Sequence, residues 1–161
     1  MKRIFTSFLA LSCFAAPAFS QEAPTAQTAE DYRKMEPKIL EDANYILSTP
    51  KDDSNTKRSE CFQEILLWMS NTADFTFEID EPITRAAEKD NTLLGVYLAA
   101  ISKYALEHRD EAKDGKGLRL SAYTLFLEYC ANDSNGVKKN KELKKMQEAK
   151  KEGKLKEYLK L

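Results

Sequence analysis

The spacing of apolar residues along the chain predicts a series of amphipathic helices from about residue 30 to the C-terminus. Apolar residues recur every three or four positions over residues 30–47, 55–71 and 118–130, which is the period of one helix face. Residues 91–108 are apolar around most of the helix circumference, which is typical of a buried central helix. The pattern therefore predicts an all-α fold with residues 91–108 at its centre.

Residues 74–80 interrupt the helical pattern. Phe75, Phe77 and Ile79 alternate with polar residues, which is the period of an extended strand. A single extended segment without a partner does not make a sheet, so we expect a connector that packs these three side chains onto the helices. Residues 81–87, with proline in second place, then predict a short extra helix.

Residues 137–161 predict a further helix that is rich in lysine. They contain ten lysines and four glutamates, whereas residues 21–136 contain 13 basic and 22 acidic residues. The lysines fit a solvated helix face, contact with the acidic body, or contact with an anionic envelope surface. Gly153 is expected to break or loosen this helix. An apolar edge would allow the segment to dock on the body; it consists of Leu143, Met146, Leu155, Tyr158 and Leu159.

The fold that follows from this pattern is an all-α domain of about five principal helices and one short extra helix. We expect an up-down arrangement of αα-hairpins, with the extended connector near residues 74–80. In both halves of the chain an apolar helix leads through a charged loop to a second apolar helix. This faint repetition leaves a solenoid-like stacking open as an alternative.

The first 20 residues have the layout of a secretory signal peptide. A short basic start is followed by an uncharged, mostly apolar stretch, and small residues precede the expected cleavage site after Ser20. We expect a flexible polar leader over residues 21–29 and a single helical domain over residues 30–161. The mature protein would be secreted or periplasmic, and no later segment is apolar over the roughly 20 residues that a membrane span needs.

Two cysteines follow the predicted signal peptide, and both lie on apolar helix faces. In an oxidising compartment, Cys61 and Cys130 are candidates for a disulfide. Two buried free thiols are a second interpretation. A third pairs Cys130 with His108, the only histidine of the chain, as a thiolate–imidazole nucleophile. His108 near a helix end also fits a simpler role, in which it faces the negative helix terminus.

Acidic residues are concentrated around the predicted connector. Asp74, Glu78, Asp80 and Glu81 could cap the following helix, bind Ca²⁺ or supply the carboxylate pair of a hydrolase. We expect capping, with no metal and no cofactor, because the EF-hand residue order is absent and one histidine cannot form a multi-histidine site. After residue 20 the chain has 23 basic and 26 acidic residues, a balance that does not indicate a nucleic-acid partner.

Four apolar and aromatic stretches stand out along the predicted helices and connector. They are residues 66–69 (LLWM), 74–77 (DFTF), 93–100 (LLGVYLAA) and 125–130 (LFLEYC). In these stretches the chain resembles small secreted α-helical bacterial proteins of uncharacterised activity. The resemblance implies a secreted helical protein, and it implies no activity.

Two classes of function are compatible with the sequence. We expect an exported, non-enzymatic helical domain that contacts an unidentified protein or envelope component. The alternative is a small exported hydrolase or thiol enzyme that uses Cys130 with His108, or the carboxylates near Asp80. A pocket that joins Cys130, His108 and a carboxylate would favour the enzyme, whereas a packed interior with both cysteines buried would favour the interaction domain.

Overall fold

The computed structural model describes residues 28–161, and these residues form an all-helical fold. Within this range there are seven α-helices, two one-turn 3-10 helices and no strand. The predicted all-α class is confirmed, whereas the predicted count of about five principal helices with one short extra helix is not confirmed, because the described residues form seven α-helices. The predicted signal peptide, its cleavage site after Ser20 and most of the leader lie outside the described residues. The helices are α1 (Ala29–Ser48), α2 (Thr56–Asn71), α3 (Glu81–Ala87), α4 (Thr92–Glu107), α5 (Gly115–Ala131), α6 (Lys141–Lys151) and α7 (Leu155–Tyr158).

Helix α4 lies at the centre of the fold, as its apolar sequence predicts. It packs against α1, α2, α3 and α5. Ten of its 16 residues are buried, among them Val96, Tyr97 and Ile101. Gly95 lies against Phe62 of α2, and a Cβ atom at this position would stand 3.2 Å from the Phe62 ring. Glycine therefore allows the two helices to approach closely at this point.

Most of the helices begin at a polar residue whose side chain accepts a hydrogen bond from the first turn. Thr28 does so for α1 in a capping box with Asp31. The other capping residues are Asn55 for α2, Asp80 for α3, Asp114 for α5 and Asn140 for α6. Asp80 is one of the connector carboxylates, so the capping role expected for this acidic segment is confirmed at that residue.

Residues 72–80 join α2 to α3 without regular secondary structure, in agreement with the predicted extended connector. The ring centroids of Phe75 and Phe77 lie 5.7 and 5.6 Å from that of Trp68 in α2. Ile79 differs from the prediction, because it is 53% exposed. The alternation fails here because the next residue, Asp80, turns inward to cap α3.

The lysine-rich C-terminal segment packs on the rest of the fold through its apolar edge. Leu143 and Met146 of α6, together with Leu155 and Leu159, are buried in the hydrophobic core. Helix α6 contacts α3 and α5. The predicted single helix is two helices, because Gly153 adopts a left-handed φ of 72° between α6 and α7.

Candidate functional site

Cys61 and Cys130, the two cysteines within residues 28–161, are free thiols that lie against different neighbours. Cys61 of α2 is 3% exposed and adjoins Asp42 of α1, whereas Cys130 of α5 is 1% exposed and lies near Asp90. The predicted disulfide between Cys61 and Cys130 is therefore wrong. Both residues follow the apolar faces of their helices, as expected, but α2 packs mainly on α1 and α5 packs on α4.

Burial makes both thiols poor nucleophiles. It raises the pKa of Cys61 to about 11, and the neighbouring Asp42 carboxylate adds to the increase. Burial, with a smaller contribution from the charge of Asp90, raises the pKa of Cys130 to about 12. Because the thiolate is the reactive form of cysteine, neither residue is activated at neutral pH.

His108 lies at the opposite end of α4 from Cys130. It is the residue that follows the last turn of α4, whereas Asp90, near Cys130, precedes the first turn. The 16 residues of α4 span about 24 Å between these two ends. The His108 ring stacks on Tyr104 with centroids 4.4 Å apart, and its Nδ1 atom is 3.6 Å from a carboxylate oxygen of Glu111. The thiolate–imidazole pair considered from the sequence is thus not assembled.

A polar cluster surrounds Asp80 at the start of α3. One Asp80 carboxylate oxygen accepts a hydrogen bond from the Tyr123 hydroxyl, and the other is 3.6 Å from Nη1 of Arg119. The same Arg119 nitrogen binds Glu78 at 2.8 Å. Tyr97 of α4 lies against Tyr123 of α5, with ring centroids 4.9 Å apart. The cluster therefore joins the connector to α3, α4 and α5.

Three atoms of this Asp80 cluster are buried without a hydrogen-bond partner among residues 28–161: Tyr97 Oη, Asp80 Oδ2 and Arg119 Nε. Burial raises the pKa of Tyr97 and of Tyr123 above the usual range, and Asp80 adds to both increases. Both phenols are therefore held in the neutral form. Other residues line the two clefts described below. The geometry of the Asp80 cluster therefore fits a structural role, in which it holds α3 and α5 to α4.

The other carboxylates of the connector belong to separate ion pairs. Asp74 binds Arg33 and Arg109, each at 2.8 Å, and the bonds from Arg33 and Arg109 lower the pKa of Asp74. Glu81 pairs with Arg85 within α3 at 2.6 Å. In the part of the chain that the structure describes, no group of three histidine, cysteine or acidic residues is arranged to hold a metal ion.

A cleft of about 280 Å³ opens between the α1–α2 loop and the start of α4. Arg58 lines it and is only 8% exposed. Its Nη1 atom donates to the carbonyl oxygens of Ile46 and Thr49 at 2.8 and 3.0 Å. These bonds place the guanidinium charge at the negative C-terminal end of α1, which stabilises the helix terminus. The Arg58 side chain is thus already engaged in the fold.

A larger cleft, of about 630 Å³, lies between the α1–α2 loop, the α3–α4 turn and residues 136–140. We name it the lysine cleft. Its lysines are Lys51, Lys89, Lys138 and Lys139. Asp53 and Asp90 also line it. The four lysines come from three separate segments, so no sequence motif marks this cleft.

Exposed large apolar residues occur in one stretch of sequence. Leu66 and Leu67 of α2 are 43% and 47% exposed, and Ile79 follows in the connector. Across residues 28–161, every other large apolar side chain is buried or half-buried. We name Leu66 and Leu67 the α2 patch.

Comparison of the chain with protein-family models, with curated proteins and with solved structures gives no significant match. The resemblance carried by the four apolar stretches is therefore not supported by a family match. Between residues 28 and 161, no helix has both the length and the apolar character that crossing a membrane requires.

Proposed function

We propose that this chain is an exported, non-enzymatic helical domain that binds a protein partner through the α2 patch. In this proposal residues 1–20 direct export, and α1–α2 and α4–α5 form two αα-hairpins. The exposure of Leu66 and Leu67 is the observation that carries the proposal, because the other large aliphatic side chains of the described helices are buried or half-buried. Neighbouring exposed apolar side chains are characteristic of protein-contact surfaces.

The surroundings of the α2 patch fit a small apolar contact with a polar rim. Gln63 lies one turn before Leu67 and Ser70 one turn after Leu66, and both are exposed. Burying apolar area yields about 25 cal/mol per Å², so a partner groove that covers both leucines gains a favourable contribution to binding there. The partner is therefore expected to present an apolar groove with a polar edge.

The positions of the candidate catalytic residues weigh against the enzyme alternative. Cys130 and His108 lie at opposite ends of α4, and both cysteines are buried as neutral thiols. The carboxylate of Asp80 caps α3 and is already engaged by Tyr123 and Arg119. A packed interior of this kind is the arrangement expected of an interaction domain.

Site-specific photo-crosslinking in the exporting cell tests the proposal. A photoreactive residue at Leu67 should give a discrete crosslinked product, and Leu66→Gln should reduce its yield. Lys156 on α7 serves as the control position, because it is also exposed and lies outside the α2 patch. Identical products from both positions would contradict the α2 patch as the partner surface, and a product of twice the chain mass would identify a second copy of this chain as the partner.

Export is tested separately by the N-terminal sequence of the recovered protein. Cleavage after Ser20 predicts that the protein outside the cytoplasm begins at Gln21. Full-length protein retained in the cytoplasm would contradict the export part of the proposal and leave the crosslinking result unaffected.

A further inference from the structure

We infer that the lysine cleft binds a phosphate group, carried either by a free small molecule or by a lipid headgroup. The lysine cleft shares no residue with the α2 patch. The inference therefore stands on different side chains from the proposed partner surface.

Hydrogen bonds between distant segments give the lysine cleft a fixed shape. The backbone N–H of Lys51 donates to the carbonyl of Asn135 at 3.0 Å, which ties the α1–α2 loop to the turn after α5. Nδ2 of Asn140 donates to the carbonyl of Ala86 at 2.7 Å, which ties the start of α6 to α3. Lys51 Nζ also binds Asp90 at 2.9 Å. The lysines are therefore brought together by the tertiary structure.

Two of the lysines have carboxylates at ion-pair distance. Lys51 binds Asp90 and lies 3.7 Å from Asp53. Lys139 lies 3.4 Å from Asp133, whose side chain is 96% exposed, so solvent weakens this second pair considerably.

Lys89 and Lys138 have no carboxylate at ion-pair distance within residues 28–161, and both are exposed. The lining of the lysine cleft therefore contains four ammonium groups and two carboxylates. A concave surface with an excess of one charge concentrates its electric field and attracts ions of the opposite sign. A bound anion would relieve the repulsion between the lysines. We therefore expect the ligand of the lysine cleft to be negatively charged.

The chemistry of the lining favours phosphate over other anions. Lysine acts as a compact point charge, and several ammonium groups can share the oxygens of one tetrahedral phosphate. Arginine, which matches planar carboxylates, is absent from the lining, and so are the aromatic side chains that stack on nucleobases. Asn91 lines the cleft and makes no side-chain cap for α4, so its amide is a neutral donor for a phosphate oxygen. The cleft of about 630 Å³ is the size of a small-molecule site.

Binding of defined phosphate probes to the mature chain tests the inference. Inorganic pyrophosphate is titrated while backbone amide shifts are followed by NMR, and vesicles of phosphatidylglycerol are compared with phosphatidylcholine vesicles by co-sedimentation. The cleft variant is Lys89→Gln with Lys138→Gln. The matched control is Lys144→Gln with Lys156→Gln, which removes the same charge from exposed positions outside the cleft.

The expected result is saturable binding with shifts centred on Thr92 and Gly136, which line the cleft. The cleft variant should bind roughly tenfold more weakly, as removal of two partly exposed charge contacts predicts, and the control should bind as the wild type does. Binding of pyrophosphate alone indicates a free phosphorylated ligand, and binding of phosphatidylglycerol vesicles indicates a lipid headgroup. The inference is overturned if neither probe binds, or if the two variants lose equal affinity.

Discussion

Tyr97 and Tyr123 are two fully buried residues whose hydroxyl groups differ in their surroundings. Tyr123 donates a hydrogen bond to Asp80, whereas the Tyr97 hydroxyl has no hydrogen-bond partner in the part of the chain that the structure describes. A buried hydroxyl without a partner loses its bonds to water on folding and gains nothing in return. The two tyrosines therefore contribute differently to stability although their rings are in contact.

Replacement of each tyrosine by phenylalanine should separate these contributions. Tyr123→Phe removes a donor from the half-buried Asp80 carboxylate and should lower the free energy of unfolding by about 1–3 kcal/mol. Tyr97→Phe should leave the free energy of unfolding unchanged or raise it slightly. Urea denaturation followed by circular dichroism measures both. Equal losses in the two variants would contradict the assigned hydrogen-bond pattern.

The two cysteines should be inert in the folded protein. Because Cys61 and Cys130 are buried as neutral thiols, Ellman's reagent at pH 7.5 should label neither within minutes in a chain that begins at Gln21, whereas the same chain should yield two thiols when it is unfolded. Ser134→Cys places a thiol at an exposed position of the same protein and should react at once. Rapid labelling of the wild type would show that the interior opens more easily than the structure indicates.

The raised thiol pKa values also predict a loss of stability in alkaline solution. A cysteine of the unfolded chain ionises near pH 8.5, whereas Cys61 and Cys130 stay protonated in the folded protein up to about pH 11 and about pH 12. Ionisation therefore favours the unfolded state, so the contribution is complete below pH 8.5 and is lost as the pH rises towards these folded values. Cys130→Ala should lose less stability than the wild type between pH 8 and pH 10.5 in denaturant titrations, and an equal loss would contradict the raised pKa.

At the scale of the elements, Arg58 connects three helices. From α2, its Nη1 atom reaches the end of α1 at Ile46 and Thr49, and its Nη2 atom lies 3.4 Å from the Tyr129 hydroxyl of α5. Within the described chain no carboxylate lies at ion-pair distance from this guanidinium, so its short-range partners are carbonyl oxygens at the negative end of α1. The α1–α2 junction therefore draws part of its stability from this one side chain, beside other contacts such as that of Lys38 Nζ with Glu64 at 2.9 Å.

Arg58→Met should lower the free energy of unfolding by about 2–3 kcal/mol, since it leaves the oxygens of Ile46 and Thr49 without a donor. Lys57→Met is the matched control, because Lys57 is exposed and only lies over the Tyr45 ring, 4.1 Å from its centroid. Loss of this contact should cost less than about 1 kcal/mol. Thermal and urea unfolding compare the two variants, and a similar effect of both would show that the junction does not depend on Arg58.

The helices could be predicted from the sequence because each one buries a face at helical spacing. The spacing shows that Cys61 and Cys130 point inward, but it does not show which helix each residue meets. The predicted disulfide between Cys61 and Cys130 was wrong for this reason. The capping role of Asp80 was predictable from its place before Pro82. The hydrogen bond between Asp80 and Tyr123 was not predictable. Tyr123 lies 43 residues away, on a helix face that the sequence pattern predicts to be apolar.

For the whole molecule, the distribution of charge was only partly predictable. The excess of lysine after residue 136 is evident in the sequence, yet the lysine cleft combines Lys138 and Lys139 with Lys51 and Lys89 from distant loops. Their proximity depends on tertiary hydrogen bonds, such as that from Lys51 to Asn135, which no local pattern encodes. A site of this kind becomes visible only when the loops are placed in space.

The C-terminal segment, residues 137–161, is attached to the rest of the fold through buried leucines. Leu155 and Leu159 are 5% and 6% exposed, and burial of a leucine contributes about 1.5–3 kcal/mol. Most of the lysines are exposed, and exposed ion pairs contribute less than about 1 kcal/mol and weaken in salt. Apolar contacts should therefore hold the segment in place, and they should do so at high ionic strength.

Leu155→Asp with Leu159→Asp should lower the free energy of unfolding by at least about 3 kcal/mol, because it removes two buried leucines and introduces two carboxylates into the core. The comparison is a quadruple glutamine variant at Lys144, Lys145, Lys150 and Lys151. It should change stability by less than about 1.5 kcal/mol, chiefly through the bond of Lys150 to Glu128 at 3.0 Å. Urea denaturation at low salt and in 1 M NaCl compares the two. A larger effect of the lysine changes, or a wild-type stability that falls steeply with salt, would mean that ion pairs hold the segment on the body.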